Sequence, residues 1–196
     1  MVSDLTNTNN SLTGALSPLA SVERAAYELR AGRPVFVLDD DKNAVLVLAT
    51  EMATRERIDE LSEFAGSEKP YVVLTHHRAE TLKIRLYTPD VVRIPYPDWL
   101  SVDQIQQLAD PQFDLADPMR GPFLAEREPV PACFVSSIKL AKIGRLLPSV
   151  MAISVPSVAI GAHPQLVVVN ADNIDSYDTN DAVGLKQVTS ANVPLD

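Results

Sequence analysis

Residues 34–49 read Pro34-Val-Phe-Val-Leu-Asp-Asp-Asp-Lys-Asn-Ala-Val-Leu-Val-Leu-Ala49. Two short apolar runs of β type, Pro34–Leu38 and Ala44–Ala49, flank the polar stretch Asp39-Asp-Asp-Lys-Asn43, a separation of hairpin length. A hairpin here makes at least part of the sheet antiparallel. On its N-terminal side, Ser21 reads as the N-cap of a helix over Val22–Arg30, with Val22, Ala25, Ala26 and Leu29 at helical spacing and Gly32 as the stop. On the C-terminal side, Thr54 opens a second helix carrying Ile58, Leu61, Phe64 and Ala65 on one face, ended by Gly66.

Further strands and helices follow in alternation. Tyr71–Leu74 is a strand, followed by a short helix around Arg78–Lys83, and Val91–Ile94 is another, stopped by Pro95 and Pro97. Ser101 and Gln104 form a capping box ahead of Ile105 and Leu108. The proline-rich stretch Asp110–Pro131 reads as an extended surface loop. A longer helix over Ala132–Leu147 places Val135, Ile138, Ala141 and Leu146 inward and Lys139, Lys142 and Arg145 outward. Met151–Val155 and Gln165–Val169 read as buried strands. The pattern is α+β, a mixed-sheet α/β sandwich. Residues 1–20, rich in Asn, Ser and Thr, read as a flexible leader, 21–170 as the folded domain, and 171–196 as a polar tail or interdomain linker.

Composition bounds the function. The chain has 196 residues, with 17 Lys plus Arg against 26 Asp plus Glu, a formal charge of −9. That balance disfavours a non-specific nucleic-acid binder. No apolar run approaches the ~18–20 residues that span a bilayer, and the first twenty residues lack the basic n-region of a signal peptide. The solitary Cys133 excludes an intramolecular disulfide framework and a multi-cysteine zinc site, and suits a cytoplasmic, reducing compartment. Histidine occurs only at His76, His77 and His163. There is no Gly-rich phosphate loop, no GxSxG elbow and no HExxH.

Several stretches resemble 3,4-dihydroxy-2-butanone 4-phosphate synthase, an enzyme of riboflavin biosynthesis. They are Arg30-Ala-Gly-Arg-Pro-Val-Phe-Val-Leu-Asp-Asp40, Ala49-Thr-Glu-Met-Ala-Thr54, Ser101–Ala109 and Ser136-Ser-Ile-Lys-Leu-Ala-Lys-Ile-Gly-Arg-Leu-Leu-Pro148, in the family's order from about Ser21 to Val155. The chain resembles most the degenerate synthase-like domain that precedes GTP cyclohydrolase II in some bacterial proteins. Its tail, Val167-Val-Val-Asn-Ala-Asp172 through Asp196, is similar to the linker between the two. The resemblance implies the synthase fold, a homodimer with active sites at the subunit interface, and a GTP cyclohydrolase II partner, covalently linked or separate.

It also implies what the site has lost. The family converts ribulose 5-phosphate to a four-carbon phosphate and formate with magnesium, using an acidic loop of the type DDxDRENEGD and a second motif, RxGHTE. Here the first is reduced to Asp39, Asp40 and Asp41, and the second is matched by Ala132, Cys133, Phe134 and Val135, which offer magnesium no hard ligand. Three aspartates in a tight turn are ordinary turn chemistry. His76 and His77 begin a helix, where a metal site would want a third ligand; His163 falls in a turn, and Trp99 reads as anchoring its loop on the core. Cys133 reads as a small buried residue.

The expectation is a non-catalytic scaffold or regulatory domain with no metal and no cofactor, its catalytic residues unassigned and Asp39, Asp40, Asp41, Arg33 and His76 the remnant candidates. The alternative is a weak or altered magnesium-dependent enzyme acting on a sugar phosphate. In it Asp39, Asp40 and Asp41 hold the cation, and Arg33 or His76 binds phosphate.

Overall fold

The computed structural model describes residues 16–66, 69–97, 99–116 and 121–179. The hairpin is present: β1 (Val35–Leu38) and β2 (Ala44–Ala49) pair antiparallel, with Val35 opposite Val47 and Leu38 opposite Ala44. Four further strands, β3 (Tyr71–Thr75), β4 (Val91–Pro95), β5 (Ser149–Val155) and β6 (Val167–Asn170), complete a six-stranded sheet in the order β4-β3-β5-β2-β1-β6. Every pairing is antiparallel except β1 with β6, so the sheet is mixed.

Alternation along each strand splits the core in two. Val35, Val37, Val45, Val47, Val150 and Ala152 face one side, under α1 (Pro18–Arg30), α5 (Ala132–Ile143) and α6 (Ala171–Asp175). Phe36, Leu46, Leu48, Met151 and Ile153 face the other, under α2 (Arg55–Phe64) and α4 (Val102–Ala109), with α3 (His76–Thr81) at the margin. A sheet covered on both faces needs continuous apolar strands, and β2 is buried at every position. Each large aliphatic side chain so enclosed contributes about 1.5–3 kcal/mol.

Helix ends follow local chemistry. The Ser101–Gln104 capping box is formed in full. Helix α1 starts a turn earlier than Ser21: Ser17 is the N-cap, its hydroxyl accepts from the Ala20 N–H, and Pro18 occupies the first helical position, where its missing N–H costs nothing. Helix α5 stops at Ile143 instead of Leu147, because Gly144 caps it and Arg145 turns left-handed at φ +57°. Residues 18–20 are thus helical. Ala171 and Ile174, from the stretch read as polar tail, are buried in the layer of α1 and α5. The remainder of the expected leader, 1–15, and of the tail, 180–196, lies outside the described residues.

Two further expectations are corrected. The last strand is an edge and is not buried throughout: Val169 is enclosed, while Val168 on the opposite face is open. Trp99 does not anchor its loop in the core. It is 55% exposed and stacks on Phe123, while Tyr96 and Leu100 beside it take the buried positions. Segment 121–131 runs as a strap along the outer strand β4, with the Glu126 N–H donating to the Arg93 carbonyl at 2.8 Å. No helix among the described residues is long and apolar enough to cross a membrane.

Candidate functional site

The β1–β2 turn is closed by its own side chains. The Asp39 carboxylate accepts from the Asn43 backbone N–H at 2.9 Å and from the Asn43 amide at 3.0 and 3.1 Å, while Lys42 takes the left-handed conformation at φ +62°. This is an Asx-type turn, in which the aspartate substitutes for a backbone acceptor. Asp40 and Asp41 are exposed at the tip.

Facing this turn is the start of α5, the stretch matched to RxGHTE. Proline 131 leads in, and Cys133 and Phe134 are fully buried. Arg93 helps to hold them. Its guanidinium lies 5.1 Å from the Phe134 ring centroid and 5.4 Å from that of Tyr71, and Nη2 donates to the Glu128 and Pro129 carbonyls. Two carbonyls and two ring faces compensate a buried cation; its Nε has no hydrogen-bond partner.

The two matched stretches are linked electrostatically: the charge of the Asp39 carboxylate acts on the Cys133 thiol. Burial pushes that thiol up to about 12, and the neighbouring negative charge adds to the shift, outweighing the helix-start N–H groups that pull it down. At neutral pH the group is a protonated thiol, unable to serve as thiolate nucleophile or ligand.

The residues present do not fit magnesium. That ion requires several oxygen donors in near-octahedral order. Asp39 is already engaged with Asn43, Cys133 is a soft protonated donor, and Ala132, Phe134 and Val135 carry no side-chain donor. Among the described residues no three His, Cys, Asp or Glu side chains cluster as a metal site.

The other candidate residues stand apart from this junction. Arg33 precedes β1 at the end of the strand opposite Asp39, ion-pairs with Glu28, and lies over the Tyr27 ring. That pairing holds the Glu28 carboxyl below the usual carboxylate range. His76 opens α3 where β3 ends; through the register Leu74–Ser149 and Ala49–Val150, this is the sheet end away from Asp39. Its Nδ1–H donates to the Thr88 carbonyl at 3.0 Å, because a carbonyl only accepts. His77 is exposed, and His163 packs edge-on against Phe64. Asp39, Asp40 and Asp41 are thus together, but neither Arg33 nor His76 joins them.

Sequence reasoning missed two features. One is the bidentate pair of Arg78 with Asp114, both contacts 2.6 Å, which also draws the Arg78 Nε–H to the Leu108 carbonyl. The other is the grouping of Lys139, Lys142 and Arg145 with His76 and His77 around one groove. The helical spacing of Lys139 and Lys142 pointed to a shared face, but nothing in the pattern placed α3 beside it.

A mixed six-stranded sheet between two helical layers, with a hairpin turn meeting the start of the last long helix, defines the class: the α+β fold of 3,4-dihydroxy-2-butanone 4-phosphate synthase. The cation-free synthase matches with a TM-score of 0.61 at 14% identity, over 82% of this chain and 98% of that one. A synthase in complex with two magnesium ions matches with a TM-score of 0.62 at 16% identity, over 84% and 99%. RibBX, a two-domain synthase from A. baumannii, matches at 0.63 and 15%, over 80% of this chain and 57% of that one.

In sequence, the chain is similar to GTP cyclohydrolase-2 of Azospirillum brasilense, 27% identical over 184 residues, covering 90% of this chain and 47% of that protein. The chain spans about half the length of the curated relative it matches. No family model matches it.

Proposed function

We propose that this is a non-catalytic domain of synthase fold that acts as a scaffold or regulatory unit for GTP cyclohydrolase II in riboflavin biosynthesis. The observation that carries the reading is the junction itself. Where the resemblance implies a magnesium site, Asp39 is consumed by its own turn and faces a buried protonated thiol. Beside that junction Val37, Phe134 and Leu140 are fully enclosed. Retained core with lost ligands is the pattern of a fold kept for its shape.

The partner reading is supported by the match to GTP cyclohydrolase-2, which aligns with less than half of that protein. A homodimer is the assembly that the synthase resemblance implies. Two measurements test these statements. Incubation with ribulose 5-phosphate and magnesium should release no formate, and turnover at ordinary enzyme rates rejects the non-catalytic reading. Reading the gene beyond the codon for Asp196 should reveal a cyclohydrolase frame with a three-cysteine zinc motif, or a separate cyclohydrolase should bind the purified chain. If neither is found, the partner reading is rejected.

A further inference from the structure

A half-open groove of about 940 Å³ runs along α5 from Val135 to Arg145, walled on the other side by the start of α3. It is away from the Asp39 turn, at the sheet end where β3 finishes. We propose that this groove binds a nucleoside phosphate.

Charge is the first argument. The chain as a whole carries −9, yet among the described residues the groove gathers Lys139, Lys142 and Arg145 against Asp90 and Asp178. Asp178 is already paired with Lys139 at 3.3 Å. Lys142 and Arg145 are exposed and make no ion pair among the described residues. Two fixed cations with no ion pair among the described residues of an acidic protein concentrate an anion in a way that alternating surface charges do not.

The second argument is the floor. Val91, Val135, Ile138 and Ile143 line the same groove, together with Tyr177 and His76. Ligand sites combine apolar lining with a few charged groups that orient the ligand. A bare phosphate would use the cations and waste the floor; a purely apolar ligand would leave the cations unanswered. A nucleoside phosphate answers both, its phosphates toward Lys142 and Arg145 and its base along the aliphatic stripe of α5. The groove volume lies within the ~300–1,000 Å³ common for small-molecule sites.

The test is calorimetric titration of the full chain at 0.15 M salt with ADP, inorganic pyrophosphate and adenosine. ADP should bind saturably, and both pyrophosphate and adenosine should bind at least about ten-fold more weakly, each lacking one half of the ligand. The double variant Lys142→Glu with Arg145→Glu should lose at least about ten-fold in ADP affinity while its urea midpoint stays put, since both side chains are exposed. Absence of saturable ADP binding overturns the proposal, as does undiminished affinity in the double variant. Pyrophosphate binding as tightly as ADP also overturns it, by removing any role for the floor. These readouts are independent of formate release, so the groove and the scaffold reading fail separately.

Discussion

The negative charge of the Asp39 carboxylate acts on the buried Cys133 thiol, linking the β1–β2 turn electrostatically to the first turn of α5. Asp39 closes its turn on Asn43, and Cys133 is wholly enclosed. The native protein should therefore resist a thiol reagent such as DTNB at pH 8, with labelling appearing only as denaturant unfolds it. Rapid stoichiometric labelling of the folded chain would show that this thiol is accessible and ionised.

The same thiol predicts an alkaline instability. Its ordinary value of 9.0 is raised to about 12 in the folded chain. Above pH 9 the unfolded chain loses this proton while the native state retains it, so the native state binds more protons and stability falls with rising pH. The contribution is fully present below pH 9 and is lost between about 9 and 12, by at most about 1.4 kcal/mol per pH unit. Urea midpoints of the wild type should fall more steeply between pH 8.5 and 10.5 than those of Cys133→Ala. Parallel slopes would remove Cys133 as the cause.

Arg78 and Asp114 lock α3 to the end of α4. Arg78 retains only 10% side-chain exposure, and its donors also reach the Leu108 and Asp110 carbonyls. Removing the guanidinium leaves a half-buried carboxylate and several carbonyls unanswered, so Arg78→Ala should cost about 3–5 kcal/mol. Arg78→Lys should recover only part of this, because an ammonium cannot reproduce the planar fork. Chemical denaturation of the three proteins checks the order.

The core assignment is open to direct test. Leu140 and Val37 are fully buried in the layer of α1 and α5. Leu140→Ala should cost about 2–5 kcal/mol, and Leu140→Asp or Val37→Asp should abolish cooperative unfolding by burying an unpaired charge. Soluble, cooperatively folded aspartate variants would show the core to be elsewhere.

Local signals in the sequence carried most of the fold. The hairpin, the Ser101–Gln104 box and the apolar strands depend on neighbours within a few residues, and they are in place. What was not legible depends on distant partners. β6 joins the sheet beside β1, more than 120 residues earlier, and no periodicity states that its outer flank is an edge. Trp99 looked like an anchor because indole is large and apolar; the structure spends Tyr96 and Leu100 there and leaves the indole on Phe123. The start of α1 was hidden by the polar composition ahead of Ser21, although Ser17-Pro18 is a sound N-cap and first helical residue. At the site, the shortened acidic turn and the ligand-poor start of α5 were each visible, but their electrostatic link, and the distance of Arg33 and His76 from them, required the register of four strands.

The proposed loss of synthase chemistry at the Asp39–Cys133 junction is open to a single assay. Formate release from ribulose 5-phosphate, followed with the purified full chain at saturating magnesium, tests it most directly. No formate should appear above the protein-free blank, and Asp39→Asn, Asp40→Asn and Asp41→Asn together should change nothing. Formate production on the order of one turnover per second, abolished by those three substitutions, would contradict it.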